Sequence, residues 1–563
     1  MMTAPRPPAP LMALTAIALG VSSCCGAAPT EIAEPGPAAA APDPAEPTFR
    51  EAASDGSPKL VVALVIDQLG SWVLERYLPH LDPDGFFRTA TARGRWYRRV
   101  VYPYASTFTA PGHAAIFTGK APVDSGIVTN TTFDPATMQK AAAVYDPAYP
   151  VLAYPKHRAS PKNLRVPTVG DALKAQRPGS KVYALSLKDR AAILPGGEKA
   201  DLALWYEYKA PAFTTSSYYA KALPTWLETW LEAHPLANLM RPWEPADPRL
   251  LERLTGPDDG PGEGDYLGLG SVFPHDPVAA HKPWSVLRIF PQLSEYTVSL
   301  ARTIAQGAEL GEDEDVDLLC LSISGLDYTG HTFGPDSWEY VDHMRRLDAA
   351  LVELSDWLEQ TRAPVRFLVT ADHGITPNPL RNPEGGGRLY PKEVTELAKA
   401  AAAKATGDAE LVDRYVRPFV YFAPALTPDA RQQVVAAVEA ELTAHPGIRL
   451  AVDVRTAATW LEDPDRLRRA VAMSIAPDGP GDVYVVPEEH WVVDEGRPEG
   501  AGTTHGTPWK GDREVPVIVF GAGIEPAVVD EELSLLRVAP TLSKLLGAPP
   551  PAGVTEAPLP GIP

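Results

Sequence analysis

Residues 59–67 read KLVVALVID, an almost unbroken apolar run that ends on a carboxylic acid. A strand with one face in water alternates apolar and polar residues, whereas a strand covered on both faces stays apolar throughout. This run therefore reads as a central strand of a parallel sheet, with Asp67 at its carboxyl end. Similar runs recur at 181–187 (KVYALSL), 316–324 (VDLLCLSIS), 365–370 (VRFLVT) and 515–520 (VPVIVF). Between them lie helical patterns, the clearest at 338–361 (WEYVDHMRRLDAALVELSDWLEQT), with apolar residues at three- and four-residue spacing. Strands alternating with helices predict an α/β fold on a mainly parallel central sheet flanked by helices, a sheet type that gathers ligands at the carboxyl ends of its strands.

Two stretches depart from that alternation. Residues 200–290 are rich in aromatics and prolines (Trp205, Trp226, Trp230, Trp243, Trp284) and read as an inserted cap. Residues 376–499 hold an Ala-rich helical run (VTELAKAAAAKA), a strand-like RYVRPFVYFA and a second helix (PDARQQVVAAVEAELTAH), and read as a smaller accessory lobe. No repeat of the solenoid kind is present. The folded region is expected over 59–563.

Ahead of it, Arg6 precedes the apolar run 11–21 (LMALTAIALGV), too short to span a bilayer and of the length of a signal-peptide core. Val21-Ser22-Ser23-Cys24 then resembles a bacterial lipobox, so residues 1–24 read as a signal peptide with Cys24 lipidated, the alternative being plain cleavage. Residues 25–58 are dominated by Ala, Pro, Glu and Asp, too poor in large apolar groups to pack, and read as a disordered tether. An exported protein follows, in the periplasm or at the outer membrane or cell surface of a bacterium.

The 563 residues, 45% hydrophobic, are enough for a large core. The net charge of −20, with no Lys/Arg-rich run, argues against a nucleic-acid partner. The three cysteines, two of them at the processing site, give no disulfide framework, and Cys320 reads as a buried strand residue.

Chemistry is sought in the polar residues next to the strands. The first strand ends in Asp67; 316–324 runs into Gly325-Leu326-Asp327-Tyr328-Thr329-Gly330-His331; 365–370 runs into Ala371-Asp372-His373-Gly374; and Gly502-Thr503-Thr504-His505-Gly506 precedes the last strand. These supply three Asp and three His at one sheet edge. Oxygen and imidazole donors without sulfur suit zinc in a hydrolytic site, or manganese or iron, and six ligands exceed what one catalytic zinc takes. Two metals can clamp the attacking and leaving oxygens of a phosphoryl transfer. In Thr107-Phe108-Thr109-Ala110-Pro111-Gly112-His113, Pro111 and Gly112 mark a loop and the residues from Ala114 could open a buried helix, so Thr109 is either an ordinary turn residue or a displayed nucleophile.

In this order, VxxxxD, Thr-x-Pro-Gly-His, Asp-x-x-x-His, Ala-Asp-His-Gly and Thr-His-Gly resemble the alkaline phosphatase superfamily, in the branch of type I phosphodiesterases, nucleotide pyrophosphatases and PafA-like alkaline phosphatases. The resemblance runs from about Lys59 to Leu546. It implies that Asp67, Asp372 and His373 bind one zinc together with the nucleophile Thr109, and that Asp327, His331 and His505 bind a second. His113 is left a structural role. Asn130, in Ser125-Gly126-Ile127-Val128-Thr129-Asn130, would donate to a phosphate oxygen.

The substrate rests on Lys188 and Arg190, in Ser186-Leu187-Lys188-Asp189-Arg190. A phosphate monoester carries an additional anionic oxygen that a Lys and an Arg would balance, whereas a diester has an alkyl group there. The pair, followed by AAILPGG, resembles the PafA-like monoesterases. The resemblance thus implies an alkaline phosphatase that hydrolyses small phosphate monoesters through a phosphothreonine at a two-zinc site. A phosphodiesterase or nucleotide pyrophosphatase of the same fold is the nearest alternative, and a non-catalytic envelope lipoprotein one of another class. A sulfatase is disfavoured, because Thr-Ala-Pro-Gly-His stands where its Cys/Ser-x-Pro-x-Arg would be. Pro487-Glu488-Glu489-His490 reads as a solvated loop.

Overall fold

The structure is a computed structural model that describes residues 58–362, 364–424, 426–494 and 501–563. The expected leader with Cys24 and all of the tether but Pro58 lie outside the described residues.

Leu60–Ile66 is a strand buried along its whole length. It pairs in parallel with Asp317–Ile323 on one side and Val365–Thr370 on the other. The sheet continues in parallel through Val182–Ser186 to Leu202–Glu207, and closes with the antiparallel Ala212–Thr214. Beyond Val365–Thr370 comes Glu514–Gly521, which is antiparallel to it, and then Arg95–Val101. The central strands are apolar throughout because helices cover the sheet in two groups. Thr109–Thr118, Val169–Gln176, Asp189–Gly196 and Val538–Leu545 pack on one another, and Pro291–Gly307, Gly325–Phe333 and Trp338–Thr361 form the second group. The helix expected at 338–361 has those bounds, capped by the Ser337 side chain. Cys320 is buried in its strand.

Three features differ from the sequence reading. The run 515–520 is strand, but antiparallel to its neighbour, so the residues before it, not after it, lie at the carboxyl edge of the parallel strands. The stretch read as a cap from residue 200 begins with two strands of the main sheet, because LALWYE is as fully buried as the other central strands. RYVRPFVYFA is not one strand but a hairpin, Val412–Val416 and Phe419–Phe422, since Pro418 cannot donate to a ladder.

That hairpin belongs to a four-stranded antiparallel sheet with Val483–Pro487 and Ile448–Asp453. Its residues alternate between two cores. Val420, Phe422, Val483 and Val485 pack with the helices Pro391–Thr406 and Pro428–Thr443, whereas Phe419, Tyr421, Tyr484 and Val486 pack with Ala105, Val128 and Phe133. The second core seats this sheet on the segments that flank Thr109 and Asn130. Among the described residues, no helix is long and apolar enough to cross a membrane.

Candidate active site

Thr109 is the first residue of the helix Thr109–Thr118, so Pro111 and Gly112 lie in its first turn rather than in a loop. Proline is tolerated there because the first amides of a helix have no acceptor within it. Glycine is needed at 112 because a Cβ would overlap the carbonyl oxygen of Asp372. The helix start is thereby pressed against the loop that follows Val365–Thr370. Thr109, 1% exposed, has its Oγ1 3.3 Å from Lys188 Nζ and 3.5 Å from His373 Nε2.

The acids that follow the strands converge here, as their shared sheet edge demands. Asp67, Asp327 and Asp372 are 0%, 2% and 0% exposed. His505 precedes the antiparallel strand and so reaches the same edge. Asp67, Asp372 and His373 form one group, and Asp327, His373 and His505 another, with ligand atoms within 4.8 Å of one another in each. His373, stacked on His505 at 3.5 Å between ring centroids, lies within reach of both groups, although its one inward nitrogen can serve a single cation. His331 lies beside the second group, with Nε2 3.1 Å from Asp327 Oδ1.

The donor set fits divalent cations. The Nδ1 atoms of His331, His373 and His505 lie 3.0, 3.0 and 2.7 Å from the carbonyls of Thr503, Gly374 and Thr107. A carbonyl only accepts, so each ring holds its proton on Nδ1 and turns the Nε2 lone pair inward, as metal-bound imidazoles do. Burial lowers the pKa of His373 to about 3 and of His505 to about 4, keeping both neutral. Against three buried carboxylates, Lys188 is the buried cation in contact, with Nζ 2.6 Å from both Asp67 Oδ2 and Asp327 Oδ2. Asp67 Oδ1 and Asp372 Oδ2 accept no hydrogen bond among the described residues. Burial, with Asp372 beside it, raises the Asp67 pKa well above the ordinary carboxylate value, the signature of negative charge in excess of its compensation.

Above these groups, a cavity of about 120 Å³ is lined by Thr109, Asn130, Lys188 and Arg190, with Asp327, His331 and His505 at its floor. Asn130 Oδ1 accepts from the Ala110 amide at 2.8 Å, which leaves its NH2 as the donor to the cavity. Arg190 Nε is buried and has no hydrogen-bond partner among the described residues. His113 lies outside the cavity: Nδ1 is 2.8 Å from the Thr109 carbonyl and 3.3 Å from Asp372 Oδ2, and Nε2 is 2.9 Å from Ser322 Oγ. His490 bonds Glu384 at the surface.

Sequence reasoning missed several neighbours. Arg388, on the short strand Gly387–Leu389, and Arg417, in the turn between Val416 and Phe419, line the cavity, and Gln68 bridges the buried acids. His157 was also missed. Its Nε2 lies 3.1 Å from Asp189 Oδ2 and its Nδ1 2.8 Å from Glu207 Oε2, so it clips the loop of Lys188 and Arg190 to the neighbouring strand. Burial alone would lower the His157 pKa, but the hydrogen bonds to Asp189 and Glu207 outweigh it and lift it to about 9. A pKa raised from 6.5 to about 9 contributes stability that is whole below pH 6.5 and disappears as pH climbs through 9. The expected contribution is about 1–2 kcal/mol after solvent screening. Unfolding of wild type and His157→Gln should therefore differ by that amount at pH 6 and converge above about pH 9; a gap independent of pH would show that the clip carries no charge.

The family model for type I phosphodiesterase / nucleotide pyrophosphatase matches residues 61–508. Alkaline phosphatase PhoV of Synechococcus elongatus is 31% identical over 512 residues, 88% of this chain and 91% of its own. Alkaline phosphatase PafA of Elizabethkingia meningoseptica is 28% identical, over 89% of this chain and 94% of its own. A crystal structure of wild-type PafA superposes with a TM-score of 0.82 at 27% identity, covering 90% of this chain and 99% of that one. With buried acids and histidines at the carboxyl edge of its sheet, the chain belongs to the type I phosphodiesterase / nucleotide pyrophosphatase family, in the branch of the PafA-like alkaline phosphatases.

Proposed function

We propose that this protein is a metal-dependent alkaline phosphatase that hydrolyses small phosphate monoesters and releases inorganic phosphate. One observation carries the choice of monoester: two cationic side chains, Lys188 and Arg190, line the small cavity beside Thr109. Two positive charges at one wall match the doubly charged phosphoryl group of a monoester, whereas the singly charged group of a diester would gain less from them.

Two divalent cations, zinc by the donor set, would be held by Asp67, Asp372, His373 and Thr109 and by Asp327, His331 and His505, and would supply the Lewis acidity that favours a threonine alkoxide and stabilises a departing oxygen. Thr109 gives up its hydroxyl proton and its Oγ1 attacks phosphorus in line, the ester P–O bond breaks, the leaving alkoxide takes a proton from solvent and departs as the alcohol, and the phosphoryl group stays on Thr109. Water then attacks the phosphothreonine, phosphate leaves, and the hydroxyl is restored. Asn130 donates its NH2 to one phosphoryl oxygen. Lys188, 3.3 Å from Thr109 Oγ1, and Arg190 reach the others, where fixed donors stabilise the transition state most.

The catalytic region is assigned to 59–563, with the part of 200–290 that follows the sheet strands ending at Thr214 as a cap and 376–499 as an accessory lobe. The leader and lipobox at 1–24, followed by the 25–58 tether, support export and an anchor at Cys24, outside the inner membrane.

Exhaustive treatment with chelator should abolish hydrolysis of p-nitrophenyl phosphate, and zinc should restore it. It should also lower the melting temperature, since a ligand at a thousand times its Kd contributes about 4 kcal/mol. Full activity in protein shown by elemental analysis to hold no metal would sink this reading.

A further inference from the structure

Gln68 follows the first acid of the site and is wholly buried. Its φ of 73° lies in the left-handed region that residues with a Cβ seldom adopt. Such a backbone persists only where its surroundings over-determine it, and it recurs at functional sites. Here it lets one residue reach in two directions. The Gln68 amide N–H donates to Asp372 Oδ1 at 3.2 Å, and Nε2 donates to Asp327 Oδ1 at 2.9 Å. A carboxylate accepts only, so the NH2 of the carboxamide must face Asp327, which leaves Oε1 buried without a donor. Gly330 stands opposite, and a Cβ there would overlap that oxygen. Asp67, Gln68 and their two bonds therefore tie an acid of the first group to the acid of the second through one rigid turn.

We infer that Gln68 is a positioning residue that sets the spacing of the two cation-binding groups by holding Asp372 with its backbone and Asp327 with its side chain. The inference rests on the reading above that these groups hold cations. Carboxylates that bind a cation lose affinity when the donor that orients them is removed, typically by 10–100-fold. Gln68→Met keeps the length and bulk of the side chain and removes only its donor. Gln68→Gly keeps the main-chain donor and relieves the left-handed strain, which offsets part of the cost of emptying a buried position.

Zinc binding to the full chain should be measured by competition with a chromophoric chelator, alongside the melting temperature of each metal-free protein. Both variants are expected to bind zinc 10–100-fold more weakly than wild type while still giving a cooperative melting transition without metal. If Gln68→Met binds zinc as tightly as wild type, Gln68 is packing and the inference is overturned; weakening by Gln68→Gly alone overturns it likewise. Wild type that binds no zinc would instead remove the reading on which the inference stands.

Discussion

Thr109→Ala should lower kcat/KM for p-nitrophenyl phosphate by a factor on the order of 10⁴ or more, with zinc content unchanged at saturation. The size follows from what is lost. Thr109 Oγ1 is the hydroxyl placed between Lys188 and His373, at the start of a helix whose third and fourth residues press it onto the Asp372 loop. The fold should tolerate the change, because the hydroxyl makes no hydrogen bond that the helix requires. Thr109→Ser should retain much of the activity. Wild type quenched in acid during turnover should carry phosphate on Thr109, and the alanine variant should carry none. An alanine variant within tenfold of wild type would mean that water attacks the ester directly.

Lys188→Ala combined with Arg190→Ala is expected to cost a factor of about 10²–10³ or more towards a monoester, by analogy with the loss of fixed donors to a transition-state oxyanion. Towards a diester the loss should stay within about tenfold, since the alkyl-bearing oxygen offers these cations little charge. Lys188 has a second task that the comparison must respect. Its ammonium lies 2.6 Å from Asp67 and from Asp327, and it neutralises part of the buried charge. Measurements at saturating zinc separate the two, because bound cations take over that compensation. Equal losses on both esters would assign the pair to holding the acids rather than to choosing the substrate.

Much of this was legible in the sequence for a physical reason. A strand buried on both faces cannot hide its apolar continuity, and parallel strands must deliver their last residues to one edge. Asp67, Asp327, Asp372 and His373 could therefore be gathered from spacing alone. His505 entered the set as the histidine just before the last run, but nothing in VPVIVF encodes that this strand runs the other way, which is what brings the residues before it to the shared edge. The ring stack of His373 on His505 is specified by no local pattern. Gln68 was visible in VIDQLG, yet its left-handed turn is imposed by acids 259 and 304 residues away. Arg417 lies in the turn of a hairpin that was readable only after Pro418 had divided it into two strands, and Arg388 lies on a three-residue strand too short to show a pattern. His157 gave no signal, being paired with two acids contributed by separate elements.

The most direct measurement is the ratio of kcat/KM for p-nitrophenyl phosphate to that for bis-p-nitrophenyl phosphate, on zinc-loaded protein from residue 59 onward. A phosphate monoesterase built around Lys188 and Arg190 predicts a ratio far above one that collapses in the double variant. A ratio below one, unchanged by removing both cations, would contradict it and make this chain a diesterase on the same metal-binding scaffold.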